Sequence, residues 1–109
     1  MPKRKDDPAG LQSLENLDRL IHEPARLNIV AHLSVVEYAD FLFLLRQTRL
    51  TKGNLSSHLS RLEEAGYVAV EKKFVERTPR TLLRLTDQGR KAFRQYRRRM
   101  RKMLQELGG

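Results

Sequence analysis

Leu55, Leu59 and Leu62 recur at i, i+4 and i+7 between Thr51 and Gly66, and this spacing constrains the fold more than any other feature of the chain. On a helix it sets the three on one stripe. Such a stripe has to face a core, since leaving it in water forfeits roughly 1.5–3 kcal/mol per side chain. At about 100° per residue the opposite side then carries Gly53, Asn54, Ser57, Ser60, Arg61 and Glu64, with Lys52 and Ser56 on its flanks. Thr51 can accept from the free N–H groups of the first turn and Gly66 supplies a left-handed stop, so the helix is expected over Thr51 to Ala65. Its outward groups are mostly short and polar, with two cations. A face of this kind fits deep in a DNA groove, where Asn pairs with adenine, Arg with guanine, and Ser with bases or phosphates. An ordinary amphipathic helix with a solvated face has the same pattern, and the helix taken alone does not separate the two.

The segment that follows does. Tyr67 to Val75 is rich in β-branched and aromatic residues and reads as a strand, Glu76-Arg77-Thr78-Pro79-Arg80 as a turn, and Thr81 to Leu85 as the return strand. Thr86-Asp87 is a helix N-cap with an acid in the first turn. Lys72, Lys73, Arg77 and Arg80 cluster around the distal half of this hairpin, where they can grip phosphates or reach into a minor groove. Cations on short edge strands also deter edge-to-edge aggregation, but the charge distribution below favours phosphate contact.

The run Leu50 to Val68, with Ser57-His58-Leu59 inside it, together with Pro79-Arg80-Thr81 and Leu85-Thr86-Asp87-Gln88-Gly89-Arg90, resembles the small winged helix-turn-helix transcriptional regulators allied to the MarR and ArsR families. The likeness spans roughly Leu14 to Met103. It implies a dimeric DNA-binding protein with a recognition helix at Thr51 to Ala65 and a wing at Val68 to Leu85. In one respect the chain departs from its relatives: metal-sensing ArsR-like regulators use cysteine thiolates, and this chain has no cysteine, which excludes thiolate sensing. No metal site and no cofactor is expected.

Charge points the same way independently. The chain has 109 residues, enough for one domain with a modest core. Residues 1–50 hold seven Lys/Arg and seven Asp/Glu, whereas residues 51–109 hold fifteen against six, so the whole net charge of +9 lies in the second half. A basic half attracts polyanions, and neutralising phosphates releases condensed counterions, so affinity should fall steeply with salt. Nucleic acid is the natural partner, and with the resemblance above it is expected to be double-stranded DNA. No apolar run approaches the ~20 residues that span a bilayer and the N-terminus lacks a secretory signal, so no membrane association and a cytoplasmic, nucleoid-associated location are expected.

Along the rest of the chain, residues 1–10 read as a polar, mobile tail and residues 11–107 as a single winged-helix DNA-binding and dimerisation domain. Leu11, Leu14, Leu17, Leu20 and Ile21 suggest a first helix, with Ser13 as a candidate cap, that stops before Pro24. Pro24 suits the first turn of a second helix, Ala25 to about Val36, apolar on several sides and hence a core element. Asp40 can cap a short third helix through Phe41–Leu45, and Gln47–Leu50 turns into the recognition helix. From Asp87 to about Leu107, Phe93, Tyr96, Met100, Met103 and Leu107 follow a three-four spacing, a heptad seam that buries little unless another helix lies against it. A homodimer follows, with Leu14, Leu17 and Ile21 of the first helix against the seam; the resemblance implies that this helix comes from the other subunit. Packing within one subunit is the alternative. Arg90, Lys91, Arg94, Arg97, Arg98, Arg99, Arg101 and Lys102 stand between seam positions and read mostly as a solvated, field-generating face.

The expected fold is therefore mainly α with a two-stranded β-hairpin wing, a winged helix-turn-helix whose N- and C-terminal helices form a dimer interface. DNA contacts are expected from Lys52, Gly53, Asn54, Ser56, Ser57 and Arg61 of the recognition helix, with Arg61 or Asn54 reading bases, and from Lys72, Lys73, Arg77 and Arg80 of the wing, with Arg77 and Arg80 on phosphates. Two-fold symmetry would place the recognition helices in successive major grooves about 34 Å apart, on an inverted-repeat operator, with repression as the expected outcome. Catalysis is not expected: His22, His32 and His58 fall on different elements and no glycine-rich phosphate loop occurs. His58 flanks the leucine stripe and is expected to be half packed. The same scaffold could bind protein or RNA instead. No separate sensor domain fits the length, so an effector, which the sequence does not identify, would act through the dimer interface.

Overall fold

A computed structural model of the chain describes residues 17–108. The expected tail at residues 1–10 and the start of the expected first helix, with Ser13 and Leu14, lie outside the described residues. Within them, Leu17–Glu23 form turns and not the last part of a helix running up to Pro24. Asp18 is the cause: its carboxylate accepts the backbone N–H groups of Leu20 and Ile21 at 2.9 and 3.3 Å, a local bond that competes with the helical ladder.

Four helices and three strands follow. Helix α1, Pro24–Ser34, opens with proline at its first position, and the Glu23 carboxylate accepts from the N–H groups of Ala25 and Arg26. Burial alone would raise the Glu23 pKa, but those two N–H groups and the neighbouring Arg26 charge outweigh it and hold the carboxyl below its usual range. Ile29, Val30 and Leu33 of α1 are fully buried, as a core helix requires. Strand β1, Ala39–Asp40, leads into α2, Phe41–Thr48, which Asp40 caps through a 2.8 Å bond from Leu42 N–H. Arg49, at φ 60°, ends α2 in the left-handed region.

Helix α3, Lys52–Glu64, is capped by Thr51, whose hydroxyl accepts from Asn54 N–H at 3.1 Å. At its end the Gly66 N–H donates to Glu63 and the Tyr67 N–H to Leu62, both at 2.9 Å, the paired bonds of a left-handed stop that Gly66 permits at φ 82°. Strands β2, Val68–Val75, and β3, Thr78–Leu85, then form an antiparallel hairpin, with β3 central in the order β1-β3-β2. Helix α4, Asp87–Glu106, follows, capped by Thr86, which accepts from Gly89 N–H at 3.0 Å.

The wing departs from expectation in two ways. Its turn is only Glu76-Arg77, both at positive φ (53° and 68°), so Thr78, Pro79 and Arg80 belong to the strand. A two-residue turn with left-handed residues matches the right-handed twist of the strands it joins. Proline is tolerated in β3 because β1 pairs only with Leu82 and Leu83, leaving the edge beyond them free. The sheet also has a third strand, β1, held by Ala39 opposite Leu83 and Asp40 opposite Leu82.

One core joins Leu17 and Ile21, the buried face of α1, Leu44, the α3 leucines, Val68, Leu83, Leu85, and Phe93 and Tyr96 of α4. Tyr96 is hydrogen-bonded to His22 Nδ1 at 2.8 Å, and burial raises its pKa. Three of the five seam residues, Phe93, Tyr96 and Met103, are thus buried within their own chain, and Met100 is partly so. Arg90 is not a solvated cation either: its guanidinium donates to the carbonyls of Ser34 and Val36 at 3.2 and 2.8 Å, closing the C-terminal end of α1.

Where α3 and α4 meet, a Cβ on Gly89 would lie 2.2 Å from the carbonyl oxygen of Tyr67. Gly89→Ala is therefore expected to lose about 1–3 kcal/mol or more by overpacking, although alanine normally gains ~1 kcal/mol over glycine inside a helix; urea titration measures it. Tyr67 donates its hydroxyl proton to Asp18, and burial, with the help of that bond and charge, pushes its pKa from 10.0 up to about 12. The neutral phenol is favoured by folding, so this contribution is complete below pH 10 and is lost as pH rises from 10 toward about 12. Thermal melts should show Tyr67→Phe less stable at neutral pH, with the gap to the parent closing across that window.

Candidate nucleic-acid interface

Burial of the leucine stripe determines which way α3 faces. Leu55 and Leu62 are fully buried and Leu59 nearly so, while Lys52, Gly53, Asn54, Ser56, Ser57, Ser60 and Arg61 are all exposed. The face carries small side chains over its first half, at the positive end of the helix dipole, where phosphate oxygens are favoured. Glu63 and Glu64 lie exposed at the opposite end, so the field along the helix is graded, with its attractive part beside Lys52.

The orientation is braced from behind by Arg26 and Asn28, which sequence reasoning did not single out, and by His58, which is half packed as expected. Arg26 of α1, buried, donates from Nε to the Leu20 carbonyl at 2.6 Å and from Nη1 to His58 Nδ1 at 3.2 Å. An arginine cannot accept, so His58 offers a lone pair at Nδ1 and carries its proton on Nε2. His58 is half-buried, with Glu23 Oε2 3.9 Å away. The ring holds the inner flank of α3 to the cap of α1. Asn28 ties α1 to the end of α2 by a 3.1 Å bond to the Thr48 carbonyl. Nothing in the spacing of these residues marks their contacts, which join elements far apart in sequence.

On the wing the four expected cations divide. Arg80 is drawn back to Asp40, its guanidinium 3.3 Å from the carboxylate, and Lys73 lies 3.5 Å from Glu71. Both pairs are exposed and weak by themselves, yet the first links the wing to the residue that caps α2. Among the described residues Lys72 and Arg77 form no ion pair of this kind, and Arg77 occupies the tip of the turn. Between α3 and the wing runs an open cleft of about 760 Å³, lined by Lys52, Ser56, Ser60 and Glu63 on one side and Lys72 and Thr81 on the other. The wing face pointing into this cleft is the one that carries Val68 and Val70 nearer the core.

The expected dimer residues are distributed unevenly. Leu17, Ile21, Phe93, Tyr96 and Met103 are buried, Met100 is partly buried against the core, and Leu107 is exposed along with Leu104. Among the described residues no three His, Cys, Asp or Glu side chains converge to hold a metal ion, and no helix is long and apolar enough to cross a membrane.

Residues 25–104 match the model of a winged helix DNA-binding domain family. Over 78 residues the chain is 36% identical to the uncharacterized protein MJ0432 of Methanocaldococcus jannaschii, covering 72% of this chain and 85% of that one. Its structure is similar to that of a transcriptional regulator homologue from Pyrococcus horikoshii, with a TM-score of 0.84, 28% identity, and coverage of 90% of this chain and 99% of that chain. The fold is also that of a MarR family regulator from Silicibacter pomeroyi, with a TM-score of 0.64, 21% identity, and coverage of 90% and 65% respectively.

Proposed function

The chain belongs to the winged helix DNA-binding domain family, and on that premise we propose that it is a sequence-specific double-stranded DNA-binding transcriptional regulator, acting as a homodimer on an inverted-repeat operator and repressing by occupying it. The observation that carries this reading is the outward face of α3: Lys52, Gly53, Asn54, Ser56, Ser57 and Arg61 are exposed together, small enough to enter a major groove and able to bond base edges. The wing stands beside them with Lys72 and Arg77 presented, and the surplus positive charge of the chain lies in the half that contains both elements.

Arg61 and Asn54 take the role of base readers and Arg77, at the wing tip, that of a phosphate contact. Arg80 and Lys73 contribute through the field as well, their carboxylate partners being displaceable at the surface. Because Leu17, Ile21, Phe93, Tyr96 and Met103 are buried inside one chain, the two-fold contact falls on the far end of α4, where Leu104 and Leu107 are exposed and Met100 is only partly covered. A regulator of this kind works in the cytoplasm, at the nucleoid.

Gel shifts against genomic fragments, with a salt titration and an RNA competitor, test the reading; complexes that RNA displaces as readily as duplex DNA would favour the RNA-binding alternative. Footprints are expected to show two-fold symmetry with half-sites roughly one helical turn apart. In binding isotherms Arg77→Ala should weaken all duplexes alike and lower the salt slope by about one, whereas Arg61→Ala should lose about 1–3 kcal/mol on the preferred site and relax its sequence preference. The reverse pattern would overturn the assignment of roles.

A further inference from the structure

Phe74 has no structural reason to be where it is. It is 78% exposed, close to the tip of the wing and outside the core, where an aromatic side chain adds nothing to the core and invites aggregation. Its register explains its direction. Val68, Val70, Lys72 and Phe74 alternate onto one face of β2, the face that looks into the cleft beside α3, and Phe74 lies opposite Pro79 of β3. Phenylalanine and proline therefore form a compact apolar pair at the distal end of that face. At about 3.3 Å per residue, Phe74 projects ~13 Å beyond Val70, so it reaches past the cleft toward whatever lies along α3.

We propose that Phe74 is an apolar wedge by which the wing enters the minor groove flanking the half-site, unstacking a base step there. The proposal rests on the DNA-binding reading above. Charge complementarity selects the occupant: Lys72 shares the face of Phe74 and Arg77 stands in the turn beyond it, whereas Lys73 lies on the opposite face against Glu71 and Glu76 adjoins Arg77, so the apolar tip has a cation on either side that suits phosphates on the walls of a groove about 6 Å wide. A protein partner with an apolar pocket would gain little from those two cations. Minor-groove proteins place apolar side chains between base steps in this setting, kinking the duplex so that more of it meets the protein. Specificity would follow from which step yields most easily, with flexible pyrimidine–purine steps preferred.

Duplexes selected by the full chain from a random-sequence library provide the probe, with 2-aminopurine placed at successive positions of the flanking minor groove. The parent protein is expected to raise 2-aminopurine emission at one step and the Phe74→Ala variant at none. Affinity for the selected duplex should fall about tenfold or more in Phe74→Ala, with partial recovery in Phe74→Leu and an unchanged melting temperature in both. The chain has no tryptophan, so emission from a Phe74→Trp variant reports this position alone and should be quenched on adding duplex. Equal affinities with silent 2-aminopurine would overturn the wedge while leaving DNA binding intact. Emission that follows protein concentration and ignores duplex would assign the tip to contact between copies and also overturn it. Failure to select any duplex would overturn the DNA-binding reading and the wedge together.

Discussion

The rest of the structure depends on the burial of three leucines. Leu55, Leu59 and Leu62 bind α3 to the core, and at roughly 1.5–3 kcal/mol for each they far outweigh any preference of the polar residues for one direction. Rotating the helix would expose this ridge and bury Asn54, Ser57 and Arg61, each needing a partner the core does not contain, at about 1–3 kcal/mol per unsatisfied group. The outward face is thus specified by what cannot face outward. Arg26 and His58 refine the angle that the leucines impose.

A second constraint sets the wing relative to that helix. Thr86 caps α4, donates its hydroxyl proton to the Gly66 carbonyl and its N–H to the Tyr67 carbonyl, so the stop of α3, the base of the hairpin and the start of α4 share one joint. Gly89 makes the joint possible by letting α4 press against the backbone at Tyr67. From so rigid a base the hairpin extends eight residues per strand, and its exposed distal half can project without a core of its own. That projecting part is the portion of the sheet with the least structural duty.

The arginines show how charge and structure divide. Arg26 braces α3, Arg90 closes α1, and Arg80 ties the wing to Asp40. Each is a long side chain whose planar group bonds carbonyl, carboxylate or ring nitrogen across elements. Arg61 and Arg77 stay exposed. Net charge alone therefore overstates how many cations a polyanion would meet directly, though the structural arginines still contribute to the field.

What the sequence determined by itself was whatever is written in local spacing. The leucine ridge of α3, its Thr51 cap and Gly66 stop, Pro24 at the head of α1, Asp40 capping α2 and Thr86 capping α4 all depend on residues within a few positions of each other. Helical period and capping geometry make such features legible. Tertiary structure alone decided the matters that join distant segments. Strand β1 is two residues long, too short to show a period, and exists because β3 passes beside it. Arg90 finds the end of α1, and Arg26 finds His58, only once the helices are packed. Whether Phe93 and Tyr96 face a second chain or their own core was equally out of reach, since a seam announces that it needs cover but not what covers it. The turn at Glu76-Arg77 has no glycine to mark it, and the pairing of the two strands forces both residues into the left-handed region. Short-range order is encoded by neighbours in sequence; the choice among partners is made by the free energy of the whole packed chain, which no window of residues contains.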